Sequence, residues 1–329
     1  MNKMLYTSVC AIICAFQEAG AQSLQPFPAS LTIRVSDQEG FPIKEADAGA
    51  TFTNFDIVKA RLTYIARHAL TNNEGKVTAT AETLDNRIYY AAEKAGYYKT
   101  TGLKYEFQGK KDGRWLPWNP IVEVVLKRIV NPIPMFAKHI ETKMPEEAWP
   151  VGFDLQAGDW VAPYGKGTVK DFIFTVKRTI TSDRDYRVTL QLAFSNKSDG
   201  LLVLRDVKND GSELLLPRNA AETGYDDERT WNYGRAPSES GRDIVSKPSD
   251  VPAYFFRIRT VQDEQGRIKS ALYGKIHGDF KLYLGLKAPS AGFGFTYYLN
   301  PTPNDRNVEF DPKSNLFTGL NWEESVREP

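Results

Sequence analysis

An alternation of apolar and polar residues, repeated along most of the chain, is the feature that most restricts how this sequence folds. Residues 188–194 place Val, Leu, Leu and Phe at every second position, and residues 31–35 and 172–176 show the same period. A period of two puts one face of a strand against a core and the other toward solvent. The 329 residues are enough for about two domains. We therefore predict an all-β protein with two β-sandwich domains.

Polar turns between the alternating segments predict antiparallel hairpins. Residues 181–185 separate two such segments in the second half of the chain, and residues 262–266 separate 254–261 from 268–276. Long strands joined in this way predict a larger antiparallel sandwich or jelly roll for the C-terminal domain. Residues 56–69 are ambiguous, because their apolar spacing also fits a short helix.

The N-terminus carries the tripartite pattern of a secretory signal. A positive start at Lys3 is followed by the apolar run 4–16 and by the small residues Ala19-Gly20-Ala21. The run is too short to cross about 30 Å of hydrocarbon as a helix. We expect cleavage after residue 21, export to the periplasm or the exterior, and no transmembrane segment afterwards. Both cysteines, Cys10 and Cys14, lie in this run, so the mature chain would have no thiol chemistry.

The balance of charge argues against one class of partner. The chain has 42 Lys and Arg against 41 Asp and Glu, for a net charge of +1. A dedicated nucleic-acid binder needs a basic surface that displaces counterions from phosphates. We therefore predict no nucleic-acid partner.

Four short motifs in the first half form an ordered series. They are Val35-(x)4-Gly40-x-Pro42-Ile43, Thr71-Asn72-x-x-Gly75-Lys76-Val77, Lys94-x-Gly96-Tyr97 and a closing Val-x-Val-x-Leu strand within 121–128. In this order they resemble a carboxypeptidase regulatory-like domain. The resemblance implies a prealbumin-like seven-stranded β-sandwich without catalytic residues of its own. Residues 102–120 depart from the pattern and look like an insertion before the last strand.

The expected domain boundaries lie where prolines or a change in composition interrupt the predicted strands. A Pro-rich connector is predicted at 131–150, because its prolines lack amide donors and restrain their neighbours. The segment 297–312 resembles a tail found in a group of secreted bacterial proteins. The expected order is a signal peptide (1–21), an N-terminal linker (22–30), the regulatory-like sandwich (31–130), the connector (131–150), an antiparallel sandwich (151–322) and a C-terminal tail (323–329).

Known catalytic signatures are missing from the sequence. His68, His139 and His277 lie far apart, and there is no H-E-x-x-H, no G-x-S-x-G and no phosphate-binding glycine loop. We therefore predict no catalytic residue, no metal site and no cofactor.

Carboxylates leave two alternatives open. A glycan hydrolase needs two acids about 5–10 Å apart across a cleft, and oxygen-rich clusters such as 226–228 or 304–307 have the ligand types of calcium sites without an EF-hand pattern. The candidate acids for a catalytic pair are Asp154, Asp159, Asp226, Asp227, Glu228 and Glu309.

An irregular segment, 217–252, is the best candidate for a binding site. Long connections within compact domains are usually functional or disordered, and aromatic rings beside hydrogen-bonding groups suit the recognition of sugars or proteins. The alternative is that the aromatic residues pin this segment onto its own sheet. The candidate binding residues are Tyr225, Arg229, Trp231, Tyr233 and Arg235.

These observations favour an exported, non-catalytic binding protein that recognises a glycan or an envelope protein. A carboxylate-pair glycan hydrolase is one alternative, and it requires acids that converge in a groove. A structural envelope component is the other. It predicts an exposed apolar patch or unpaired edge strands in place of a pocket.

Overall fold

The computed structural model describes residues 25–56, 59–205, 207–237, 244–246, 253–285 and 287–329. The predicted signal peptide therefore lies outside the described residues. The chain divides into two compact units, one of Met1–Arg128 with Asp210–Ser212 and one of Ile129–Asn209 with Glu213–Pro329. Strands dominate both, and the described residues contain no helix, which confirms the predicted all-β class.

Strands of the first unit follow one another at short intervals. They are β1 (Phe27–Ser36), β2 (Asp47–Asp56), β3 (Arg61–Leu70), β4 (Lys76–Thr83), β5 (Arg87–Glu93), β6 (Tyr97–Tyr98), β7 (Thr100–Glu106), β8 (Gly109–Lys111), β9 (Arg114–Leu116), β10 (Ile121–Val125) and β11 (Lys127–Arg128).

Two sheets of this unit enclose its core. One has the order β10-β1-β4 and the other the order β3-β2-β5-β7, while β8 pairs with β9 and β6 with β11. Leu31, Ile33 and Val35 from β1 pack with Ala50 and Phe52 from β2, so the alternation in the sequence marks the buried face. The expected linker 22–30 instead contributes the first residues of β1, and the strand β10 pairs with β1 in parallel.

Turn residues of the sequence motifs hold this unit together. Gly75 lies in the turn after β3 and has a φ of +71°. A Cβ on this residue would lie 2.4 Å from the Val35 carbonyl oxygen. The buried Thr71 hydroxyl donates to the Ile43 carbonyl at 2.6 Å and accepts from the Ala46 amide at 2.9 Å. These residues therefore serve packing and turn geometry.

Strands of the second unit are longer. They are β12 (Ile133–Lys143), β13 (Val151–Asp154), β14 (Asp159–Trp160), β15 (Phe172–Ser182), β16 (Asp185–Ala193), β17 (Gly200–Leu204), β18 (Glu228–Ala236), β19 (Ile244–Ser246), β20 (Ala253–Gln262), β21 (Ile268–Tyr283), β22 (Gly292–Asn300) and β23 (Phe310–Asn315).

An aromatic core joins the two sheets of the second unit. The sheets have the orders β17-β20-β21-β22-β12-β23 and β14-β13-β15-β16-β18-β19. Phe172 and Phe174 from one sheet contact Phe256, Phe280 and Phe293 from the other, with ring centroids 4.6–6.2 Å apart. The unit is therefore a β-sandwich, antiparallel apart from the parallel pair β12–β23.

The segment 131–150 is not an irregular connector. Its strand β12 pairs antiparallel with β22 over Phe136–Lys143 and in parallel with β23. Pro134 is tolerated because the β12–β23 register shifts between Ile133 and Met135, and a bulge needs no ladder donor at that point.

Candidate functional site

The segment 217–252 is more regular than the sequence indicated. Strand β18 pairs with β16 from Tyr186↔Arg235 to Ala193↔Glu228, and β19 extends the sheet beside it. The prediction of one long irregular connection is therefore wrong for this part. Residues 238–243 and 247–252 lie outside the described residues.

Trp231 lies inside the sandwich core. Its side chain is 2% exposed, its ring packs edge-on against Phe280 at 5.2 Å, and its Nε1 donates to Asp279 Oδ1 at 3.1 Å. The Tyr254 hydroxyl also donates to Asp279, at 2.5 Å. Burial raises the pKa of Asp279, although these hydrogen bonds oppose that rise. The ring thus packs the two sheets together and donates a hydrogen bond to a half-buried carboxyl group.

The other four candidate binding residues are divided between two places. On β18, the Arg229 guanidinium lies 5.2 Å from the Trp231 ring, and the Tyr233 hydroxyl donates to the Phe280 carbonyl at 3.4 Å. Arg235 is half-buried on the same strand. Tyr225 lies apart from them, where its hydroxyl donates to the Ala221 carbonyl at 2.7 Å. Binding by these residues remains a prediction.

Changing Trp231 to phenylalanine is expected to lower the free energy of unfolding by about 1–3 kcal/mol. Phenylalanine keeps much of the aromatic packing but removes one donor to the half-buried Asp279 carboxyl group. Urea denaturation measures the change, with Trp322→Phe as the control, because Trp322 is 75% exposed. If Trp231→Phe matches that control, the Nε1 hydrogen bond does not stabilise the core.

The candidate acids are held by the chain itself. Asp154 accepts from the amides of Gln156, Ala157, Thr168 and Val169 at 3.0–3.1 Å. Burial opposes ionisation of Asp154, but the amides outweigh it and its pKa falls below the usual value. Its register partner Asp159 accepts from two further amides. The remaining acids lie elsewhere, with Glu309 buried beside the amides of Val130 and Asn131 and with Asp226, Asp227 and Glu228 exposed.

A half-buried arginine that the sequence analysis did not single out is the centre of a charge network with two buried carboxylates. Arg259 Nε and Nη2 donate to the two oxygens of Asp171 at 2.7 and 2.9 Å, and Nη2 reaches Asp154 at 3.3 Å. Arg259 comes from β20 in one sheet, whereas Asp171 immediately precedes β15 in the other. The two-pronged contact therefore ties the sheets together.

A bulge aims this arginine inward. The β20–β21 register shifts between Ile258 and Val261, and Arg259 has a φ of +53°. Asp199 holds the bulge by accepting from the amides of Arg259 at 3.0 Å and Thr260 at 2.8 Å. Bulges commonly turn a side chain to a new direction in this way.

A second buried charge lies on the opposite face of the β20–β21–β22 sheet. Lys275 is 1% exposed, its Nζ has no hydrogen-bond partner among the described residues, and it lies 4.6 Å from the centre of the Tyr298 ring. Burial lowers the pKa of Lys275 to about 7, and the nearby Glu309 carboxylate acts against that shift. This amine destabilises the fold in its charged form.

A small cleft of about 200 Å³ opens beside β12 and β14. Its charged side chains are engaged within the chain. Lys138 pairs with Glu324 at 2.8 Å, and His139 Nδ1 lies 2.7 Å from the Thr296 hydroxyl. Within the described ranges, no three His, Cys, Asp or Glu side chains are grouped as a metal site. Nor does any helix there have the length and hydropathy of a membrane span.

Strand β3 is an exposed edge of the first unit. It pairs with β2 from Asp47↔Leu70 to Asp56↔Arg61, and no described strand pairs with its other side. The short helix considered for 56–69 does not form in the described part of that segment. The ten residues of this strand therefore present an outer edge whose backbone groups face no other strand among the described residues.

The outer face of β3, which points away from the core, carries large apolar side chains. Ala50 and Phe52 of β2 face the core, so their partners Arg67 and Ile65 are on the core-facing side of β3. The other side of β3 carries Leu62, Tyr64 and Leu70, which are 56%, 67% and 64% exposed. Exposed apolar patches and unpaired sheet edges are both common features of surfaces that bind other protein chains.

Comparisons with known proteins show only remote similarity. No family model and no curated protein match the chain. A 3-chlorocatechol 1,2-dioxygenase from Rhodococcus opacus aligns over 32% of this chain and 61% of its own, with 11% identity and a TM-score of 0.25. A mutant catechol 1,2-dioxygenase from Acinetobacter radioresistens aligns over 35% and 57%, with 15% identity and a TM-score of 0.26. This chain thus spans less than two thirds of either dioxygenase.

A pilin aligns over more of this chain than the two dioxygenases do, but with a TM-score that is no higher. The major pilin subunit of Bacillus cereus aligns over 85% of this chain and 97% of its own, with 14% identity and a TM-score of 0.22. Similarity at this level identifies neither a family nor an activity.

Proposed function

We propose that this protein is an exported, non-catalytic component that binds another protein chain by adding a strand to the outer edge of β3. The single observation that carries the proposal is the exposed apolar face of β3 beside its unpaired edge. In strand addition, backbone hydrogen bonds give affinity and alternate side chains give specificity.

The state of the other candidate sites supports a protein partner over a glycan. The Trp231 ring is buried in the core. Asp154 already accepts hydrogen bonds from backbone amides, and Asp171 is paired with Arg259. Glycan recognition by the residues on β18 would need rings on a surface. Large apolar side chains are exposed on the outer face of the β3-β2-β5-β7 sheet, from Leu62, Tyr64 and Leu70 of β3 and from Tyr89 of β5, with β2 between these two strands.

Two sequence patterns give the proposal its setting. Export is supported by the signal pattern at 1–21. The first unit is proposed to be a carboxypeptidase regulatory-like domain, supported by the ordered motifs and by the packing of Val35, Thr71 and Gly75 around one turn. An accessory role for that unit agrees with a binding edge.

Photo-crosslinking in the producing cells tests the proposed function. With p-benzoylphenylalanine in place of Tyr64, ultraviolet light is expected to produce a discrete adduct of higher mass, because the side chain would lie against the added strand. The matched control carries the same group at Tyr164, which is 44% exposed in the second unit. Absence of an adduct at 64, or equal adducts at both positions, would contradict binding at the edge.

A further inference from the structure

We infer that the strand added to β3 is β3 of a second copy of this chain, paired antiparallel about a twofold axis at Ala66. The inference rests on the proposed function, because it names the partner of the same edge. Its support is the order of side chains along β3, whose apolar outer face and charges match themselves in one register.

Symmetry restricts the registers available. A twofold axis perpendicular to the sheet keeps each residue on its own face, so a residue on the outer face must lie opposite another residue of that face. An axis at Ala66 places Leu62 opposite Leu70 and Tyr64 opposite His68. The exposed apolar residues of both copies then form one continuous strip.

Charge selects among these registers. An axis at Arg67 would put two guanidinium groups opposite each other, and an axis at Tyr64 would put Arg61 opposite Arg67, both of which are unfavourable. An axis at Ile65 would place Leu62 against His68 and leave Leu70 without a partner. With the axis at Ala66, Arg67 lies opposite Ile65, and no two like charges lie directly opposite each other.

Neighbouring side chains are compatible with this pairing. His68 already has an acidic neighbour in its own copy, since its Nδ1 lies 3.3 Å from Asp47 Oδ1. Pairing would extend the β3-β2-β5-β7 sheet across the axis into the same sheet of the second copy. Because strand pairing alone covers a small area, the dimer should be weak and concentration-dependent.

Disulfide trapping tests the register directly. Cys10 and Cys14 are the chain's only cysteines, so changing both to serine leaves a background without thiols. In that background, Ala66→Cys is expected to form a disulfide-linked dimer at least about tenfold faster than Ala69→Cys, because the paired strands hold the two thiols at high effective concentration. Ala69 is the matched control, being an exposed alanine on the same strand. Equal rates at the two positions would overturn the register.

Sedimentation velocity over a concentration series tests the partner itself. The full chain is expected to shift from monomer toward dimer, and Tyr64→Lys to remain monomeric with an unchanged circular dichroism spectrum, because lysine discourages edge pairing. A chain that stays monomeric throughout and shows no excess linkage at residue 66 would overturn the second copy as partner. If position 64 still crosslinks to a different protein in cells, the proposed function stands and only this inference fails.

Discussion

Replacing Arg259 by methionine is expected to lower the free energy of unfolding of the second unit by about 3–5 kcal/mol. The Asp171 side chain is fully buried, and both of its oxygens accept from the Arg259 guanidinium. Methionine fills a similar volume without a charge, so an ionised carboxylate would remain in the core. Burial already raises the pKa of Asp171, and the loss should therefore be smaller at acidic pH, where the carboxyl group takes up a proton.

Two controls separate this effect from general damage. Arg267→Met removes the ion pair between Arg267 Nε and Asp263 Oδ2, whose distance of 2.7 Å equals that between Arg259 Nε and Asp171 Oδ1. Because Arg267 is 76% exposed, we expect little change in the free energy of unfolding. Arg259→Lys keeps the charge without the two-pronged geometry and should fall between wild type and Arg259→Met. Chemical denaturation at several pH values measures all three. A loss for Arg259→Met no greater than that for Arg267→Met would show that the network does not tie the sheets.

Replacing Lys275 by methionine is expected to raise the free energy of unfolding at neutral pH by on the order of a few kcal/mol. The amine is buried without a hydrogen-bond partner among the described residues, and its pKa falls from 10.5 to about 7 on folding. Removing it leaves Glu309 satisfied by the amides of Val130 and Asn131. A buried charge that costs stability would then be replaced by apolar packing.

The sign of the pH dependence follows from the same pKa. Between about pH 7 and 10.5 the unfolded chain binds more protons at this residue than the folded chain, so wild-type stability should rise with pH in that window. The gain from Lys275→Met should be largest at or below pH 7 and should shrink toward pH 10. Lys281→Met, on the exposed part of the same strand, is the control. Parallel stability curves for wild type and Lys275→Met would refute the assignment.

Much of the fold could be predicted because most strands bury one face. The hairpin expected around 181–185 is β15–β16, with Ser182 opposite Asp185, and the hairpin expected around 262–266 is β20–β21, with Gln262 opposite Ile268. In such strands every second side chain contacts a core, and the sequence carries that period directly.

Other strands escaped prediction for separate physical reasons. Strand β12 follows and contains prolines, which its bulge accommodates. Strand β18 has few fully buried positions, Trp231 and Gly234 among them, so its period is weak. In β3, Leu62, Ile65, Ala66 and Ala69 have helical spacing, but pairing with β2 along the whole strand prevails.

The candidate sites were harder to predict than the fold. Nothing in local spacing places Asp171 beside Arg259, since these residues are 88 positions apart and meet only when the sheets pack. The sequence feature that could have indicated the buried charges is a charged residue within an otherwise apolar strand, as at Arg259 and Lys275. For β3 the signal was the apolar set Leu62, Tyr64 and Leu70, whose exposure depends on which face of β2 is buried.

In each unit the strand made first pairs with a strand made near the C-terminal end of that unit. Strand β1 pairs with β10, and β12 lies between β22 and β23, where the Ala137 amide reaches a side chain 178 residues further along. Neither sandwich can close while its C-terminal strands are still being synthesised or exported, and until then its apolar faces lack cover. Completion of these late strands, β10 in the first unit and β22 and β23 in the second, rather than formation of any hairpin, should therefore set when each unit becomes resistant to proteases and aggregation.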